Sequence, residues 1–143
     1  MTKSLVLSVF AVLLMFPLAP QMRANGECFT ADLKGDYSFV ASGTINVPGL
    51  PVGPFAAAGK THYHGDGTAD GVIQVSLNGN QLFSKWTAIY TVDSSSCTIT
   101  KTITLEANGV KLDFFITAGD DFRELRFIAT DPGTAITGTA RKQ

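Results

Sequence analysis

Between residues 97 and 141 apolar and polar side chains alternate in runs separated by turn-forming residues. In residues 97–106, Ile99, Ile103 and Leu105 alternate with Thr98, Thr100, Thr102 and Thr104, a period of two that suits an extended strand and not a helix. Asn108-Gly109 then predicts a hairpin, because both central residues of a type I′ turn take positive φ, which Asn tolerates and Gly adopts freely. Val110, Leu112, Phe114, Ile116 and Ala118 share one face of the next run, opposite Lys111, Asp113 and Thr117, with Phe115 the apolar exception. After a turn at Gly119-Asp120-Asp121, Leu125, Phe127 and Ala129 oppose Glu124, Arg126, Ile128 and Thr130. Asp131-Pro132-Gly133 supplies a turn whose φ is preset by proline, and a last strand runs toward the C-terminus.

The first half carries the same signals less cleanly. Leu33 opens a strand reaching about Gly43. Residues 44–54 hold Pro48, Pro51 and Pro54 among Ile45, Val47, Leu50 and Val52; proline removes ladder donors, so this segment reads as an apolar loop. It either covers the barrel it belongs to or meets another subunit. Residues 55–63 form a second strand, Gly65, Gly67 and Gly71 a turn, residues 72–77 a third strand, and Asn78-Gly79 a second hairpin. Residues 81–92 make a fourth strand with a bend near Ser84, placing Trp86, Ala88, Tyr90 and Val92 on one face.

Eight strands with short sequential connections predict an all-β domain, a single antiparallel up-and-down barrel whose closure removes exposed edges. A two-sheet sandwich is the alternative, but its Greek-key topology needs longer crossovers. A membrane barrel needs an apolar outer band, whereas the faces opposite the presumed core carry many Thr, Lys, Asp and Glu residues.

Residues 1–24 read as a signal peptide: Lys3 precedes an apolar run from Leu5 to Phe16, and Pro17 and Pro20 follow it. That run is short of the roughly 20 residues a membrane-spanning helix needs. Cleavage after Ala24 leaves residues 25–143 as one domain that is secreted or periplasmic and not membrane-spanning after processing. Glu27 argues against Cys28 as a lipid acceptor. In an oxidising compartment Cys28 and Cys97 are expected to pair, the alternatives being free thiols or an intermolecular bridge.

The 143-residue chain has a formal net charge of −1, and Lys34, Lys60, Lys85, Lys101 and Lys111 are scattered along it. Nucleic-acid binding calls for a clustered basic stripe, so no such partner is expected.

Leu33-x-Gly35-x-Tyr37-x-Phe39, Ala58-Gly59, Gly65-x-Gly67, Tyr90-x-Val92 leading to Cys97, the run from Glu124 to Gly133, and Gly138-x-Ala140 together resemble small secreted bacterial β-barrel proteins of uncharacterised function. The resemblance covers nearly all of residues 25–143. It implies a lipocalin-like, calycin-like eight-stranded barrel, similar in architecture to allene oxide cyclase and dirigent proteins. The matched positions are fold determinants, so the resemblance carries over no catalytic residue.

Candidate chemistry is sparse. His62 and His64 lie two apart on a strand and so on one face, where they could share a metal ion if Asp66 or Glu106 completed the site; two solvent-facing strand residues are the plainer reading. Asp113 with Arg123, Glu124 and Arg126 reads as cross-strand ion pairing. Tyr37, Phe39, Phe83, Trp86, Tyr90, Phe114 and Phe127 either fill the barrel or line a cavity for an apolar ligand, since an eight-stranded barrel is wide enough for one or the other. The resulting reading is a non-catalytic barrel, without cofactor, that holds a small apolar molecule. The alternatives are a cyclase or isomerase, for which an inward Glu106, Tyr90 or Tyr37 would be the sign, and a solid structural protein of the cell envelope.

Overall fold

Period-two alternation is realised as eight strands in the computed structural model, which describes residues 26–143. The signal segment 1–24 lies outside the described residues. A short 3-10 turn, Thr30–Asp32, precedes β1 (Lys34–Ile45), β2 (Gly53–His64), β3 (Thr68–Leu77), β4 (Asn80–Val92), β5 (Thr98–Leu105), β6 (Lys111–Gly119), β7 (Glu124–Ala129) and β8 (Ala135–Lys142). Each strand pairs antiparallel with the next, and β1 pairs with β8 to close the barrel. Among the described residues no strand edge is left open, so every ladder is satisfied internally.

The core lies inside the barrel and follows the alternation. Ser84, Trp86, Ala88 and Tyr90 of β4 point inward, as do Ile99, Lys101, Ile103 and Leu105 of β5. Both ends are packed. At the end where β1 begins, Leu33 and Phe122 are buried; Tyr37 Oη donates to the Phe122 carbonyl at 2.5 Å and Tyr90 Oη to the Leu33 carbonyl at 3.0 Å. The Phe122 backbone is held at φ 64° after Asp120 at 49° and Asp121 at 50°, a left-handed run that a bulky residue adopts only when its surroundings enforce it. The Cys28–Cys97 disulfide ties the segment ahead of Leu33 to the β4–β5 turn. At the opposite end, residues 46–52 fold over their own barrel, burying Val47 and packing Leu50 on the core, while Val52 stays exposed.

Three elements differ from the sequence reading. β3 starts at Thr68, so Gly71 lies within the strand and not in a turn. β4 is continuous through Ser84, whose hydroxyl is satisfied by donating to the Lys85 carbonyl at 2.6 Å and accepting from Ala107 N–H at 3.2 Å. The Asn78-Gly79 hairpin has both residues at positive φ, 47° and 86°, as a type I′ turn requires, whereas at Asn108-Gly109 only Gly109 does, at 71°. There the connection is wider: Asn108 Oδ1 accepts from Val110 N–H at 3.1 Å, and Gly109 N–H donates to the Leu105 carbonyl at 2.8 Å.

Gly71 has a packing role. It sits opposite Trp86 across the β3–β4 ladder, and a Cβ there would lie 2.5 Å from Trp86 Cζ2 and 2.1 Å from the Lys60 carbonyl oxygen. Gly59 with Phe39 and Gly138 with Phe127 repeat the arrangement, each ring lying against a cross-strand glycine. Large aromatics are thereby laid flat against the wall, a recognised device of curved sheets. Gly71→Ala is expected to cost about 2 kcal/mol by overpacking and to shift the emission of Trp86, the single tryptophan. A denaturant melt with unchanged midpoint and emission would show that the ring moves aside freely.

Candidate functional site

The flattened rings leave a cavity of about 50 Å³ in the barrel interior. Two groups of side chains define it. Phe39, Phe114 and Phe127 form an edge-to-face aromatic cluster, with Phe127 centred 6.4 Å from Phe39 and 5.6 Å from Phe114. Tyr63, Trp86 and Lys101 form the other.

Lys101 is the one buried side chain of a formally charged residue type among the described residues, with 9% of its surface exposed. It is placed inward by simple parity: Ile99, Lys101, Ile103 and Leu105 occupy alternate positions of β5. Its Nζ donates to Tyr63 Oη at 3.1 Å and lies 4.4 Å from the Trp86 ring centroid and 4.8 Å from that of Tyr63. Both rings attract the ammonium through their quadrupoles. Among the described residues no carboxylate pairs with it. Burial therefore dominates, pushing the lysine down from 10.5 to about 7, because an apolar interior disfavours the charged form. Trp86 Nε1–H, also buried, has no hydrogen-bond partner among the described residues. Burial likewise raises Tyr63, with smaller contributions from Tyr37 and Tyr90, so its phenol stays protonated at neutral pH. The cavity thus has an apolar wall that includes the Trp86 indole, the Lys101 amine as an N–H donor and one neutral hydroxyl, a set suited to an oxygen acceptor.

The residues singled out by sequence fall into three groups. Phe39, Trp86, Phe114 and Phe127 line the cavity. Tyr37 and Tyr90 are inward and buried, but their hydroxyls are committed to the end cap. Phe83 is corrected: it is 60% exposed on the outer face, because β4 runs without a bend and its even-numbered residues take the inner positions. His62 and His64 point outward with ring centroids 4.8 Å apart. Each meets one carboxylate, His62 Nδ1 at 2.6 Å from Asp36 Oδ1 and His64 Nε2 at 2.7 Å from Asp70 Oδ2. Asp66, one of two residues that could have completed a metal site, instead accepts from Thr68 N–H and Oγ1, which lowers its carboxyl below the usual range. Among the described residues no cluster of three or more metal-ligating side chains forms. The ion-pairing reading changes partners: Glu124 meets Arg126 at 2.9 Å and Arg141 at 3.5 Å, while Asp113 accepts from Thr102 Oγ1. Glu106 is exposed.

Lys101 and Tyr63 were missed as site residues. In the sequence Lys101 reads as one of several scattered cations although it lies on the Ile99–Ile103–Leu105 face, and Tyr63 is overshadowed by the histidines flanking it, which face the other way.

No family model and no curated protein matches the chain. Among solved structures the chain is similar to EF1p2_mFAP2b bound to DFHBI, with a TM-score of 0.58 and 16% sequence identity over 81% of this chain and 100% of that one. At that identity the likeness is one of fold.

Proposed function

We propose that the barrel binds one small, chiefly apolar molecule in its interior, with an oxygen of the ligand accepting from Lys101. The observation that carries this reading is a lysine enclosed beside a cavity with no carboxylate among the described residues to neutralise it. Burying an unpaired ammonium costs several kcal/mol, and an apolar residue of similar volume fills such a position at no such cost. A barrel whose interior served only to be solid would gain from methionine there. The unpartnered indole N–H points the same way, since leaving a buried donor unsatisfied costs about 1–3 kcal/mol. A solved barrel of the same fold, EF1p2_mFAP2b, is bound to DFHBI, which supports a small-molecule role for this architecture. The disulfide fits a protein of an oxidising compartment.

Size restricts the ligand. Drug-sized pockets occupy roughly 300–1,000 Å³, against about 50 Å³ here. The ligand is accordingly a molecule of a few carbon atoms, or a larger one admitted when the Phe39, Phe114 and Phe127 rings yield. An enzymatic second reading rests on the Lys101–Tyr63 pair, an amine and a phenol 3.1 Å apart, which form an acid–base couple in an apolar cavity.

Trp86 lies in the cavity wall, so its emission tests the carrier reading directly. Butyramide, a short neutral carbonyl compound, is expected to change that emission saturably, while butylammonium, which offers only donors, leaves it unchanged. Lys101→Met should weaken butyramide binding by about tenfold, the value of one charge-assisted hydrogen bond. The absence of any saturable change with butyramide and with butyrate would overturn the reading.

A further inference from the structure

The Lys101 amine has a property that hydrogen bonding alone does not use. A lysine becomes a nucleophile when desolvation leaves it uncharged, and here burial, with no buried carboxylate opposite it among the described residues, outweighs the attraction of the Tyr63 and Trp86 rings for the ammonium. The titratable groups that meet it inside the barrel are phenols, Tyr63 of β2, which reaches Nζ across the interior, and Tyr90 of the flanking β4, paired with Lys101 across the ladder. On the other side β6 presents Phe114, also in register with Lys101. Among the described residues no buried carboxylate faces the amine.

We infer that Lys101 captures a small apolar aldehyde as a Schiff base inside the barrel, with Tyr63 carrying the protons. This rests on the carrier reading above and names the class of ligand for that same site. The uncharged Nζ adds its lone pair to the carbonyl carbon, forming the C–N bond as the C=O π pair moves onto oxygen. That oxygen takes a proton from Tyr63 Oη, and the nitrogen returns one to the phenolate, leaving a neutral carbinolamine. A second transfer through the same hydroxyl protonates the departing OH group. Water leaves, the C=N bond forms, and the remaining N–H proton restores the phenol. Amine and aldehyde thus give imine and water, with no oxidant or reductant consumed.

Geometry and environment supply what each step needs. Tyr63 Oη lies 3.1 Å from Nζ, within reach of a proton held on either partner. The phenol is kept protonated by burial, so it starts as a donor. Burial also leaves about half of Lys101 as free amine near neutral pH, against about one part in 10³ for an ordinary lysine. Trp86, whose buried Nε1–H has no partner among the described residues, lines the same cavity. An apolar enclosure further opposes hydrolysis, because the water released has few polar partners to hold it there.

The test uses butyraldehyde with sodium cyanoborohydride, which reduces the imine to a stable N-butyl amine, read by intact mass and peptide mapping. At pH 7 we expect the first increment on Lys101, forming at least about tenfold faster than on exposed lysines such as Lys34, Lys60 and Lys85. Lys101→Met should remove the fast increment. Tyr63→Phe should slow it by a larger factor than it weakens butyramide's effect on Trp86 emission, which separates proton transfer from binding. Labelling spread over exposed lysines with Lys101 spared, while butyramide still alters Trp86 emission, would overturn the Schiff base and leave the carrier intact. If Lys101 is spared and butyramide has no effect, both fail. Because site mapping is done on the unsubstituted protein, the outcome does not depend on any variant folding.

Discussion

Replacing Lys101 with methionine should stabilise the protein by roughly 3–5 kcal/mol below pH 7 and by little near pH 10. The sign follows from proton counting. In the unfolded chain a lysine holds its proton up to its ordinary 10.5, whereas in the native barrel burial brings the value to about 7. Between those limits the unfolded state carries one proton more than the native state, so raising the pH stabilises the fold. Below pH 7 both states carry it, and the native protein bears the full cost of an enclosed ammonium. Methionine has similar length, an adaptable shape and no charge, so the variant lacks both the cost and the slope. The phenols set the upper limit. Burial, with a smaller contribution from Tyr90, raises Tyr37 to about 12, and burial raises Tyr63 and Tyr90 as well. An unfolded tyrosine ionises near pH 10. Above that point the native state holds more protons than the unfolded one, and stability falls. The unsubstituted protein should therefore show a stability maximum near about pH 10, and Lys101→Met a flat profile up to the same decline. Urea melts at pH 6, 8 and 9.5 decide it. A flat profile in the unsubstituted protein would mean that the amine is hydrated and charged throughout, and would remove the physical basis for its nucleophilicity.

The same lysine shows where sequence reading succeeds and where it stops. Strand alternation is a local property of the backbone, so the eight strands and their antiparallel order were legible, and the short connections sufficed to choose a barrel over a sandwich. Alternation also held the position of Lys101, between Ile99 and Ile103 on the inner face of β5. Residue type outweighed position, because charged side chains are almost never fully buried unless paired. Phe83 is the converse case: an aromatic residue was assigned inward, though its odd position on an unbent β4 places it outside. The bend expected near Ser84 does not form, and the serine's hydroxyl is satisfied within the continuous strand's own surroundings. Gly71 read as a turn because sequence does not reveal that its missing side chain makes room for Trp86 across the ladder. The size of the cavity was beyond sequence altogether, since it depends on how three rings lie against three glycines.

Breaking the Cys28–Cys97 bridge should cost about 4 kcal/mol, measured as the shift in denaturant midpoint between the oxidised protein and a Cys28→Ser, Cys97→Ser double variant. The bridge spans 69 residues of sequence, and the chain-entropy model assigns a loop of that length a large loss of freedom in the unfolded state. The native side of the balance is local. Ahead of Leu33 the segment is held by Cys28 N–H donating to the Ser94 carbonyl at 3.1 Å and by the turn closed through Asp32 N–H and the Phe29 carbonyl at 2.9 Å, while Leu33 itself is buried in the cap and accepts from Tyr90. Without the bridge, residues 26–33 keep those contacts but lose the covalent tie to the β4–β5 turn, so local opening of this end becomes easier along with global unfolding. The two effects separate experimentally. Global destabilisation appears in the midpoint, whereas opening of the cap appears as faster exchange of the Leu33 amide, which donates to the Thr30 carbonyl at 3.3 Å, than of amides in β4. If the cap is the route by which a ligand reaches Lys101, butyramide should also bind and leave the double variant faster at nearly unchanged affinity, because the cavity side chains are untouched. A midpoint loss below about 1 kcal/mol would show that the unfolded chain is already restricted in this region. Unchanged butyramide kinetics together with faster Leu33 exchange would place the entrance at the opposite end, under residues 46–52.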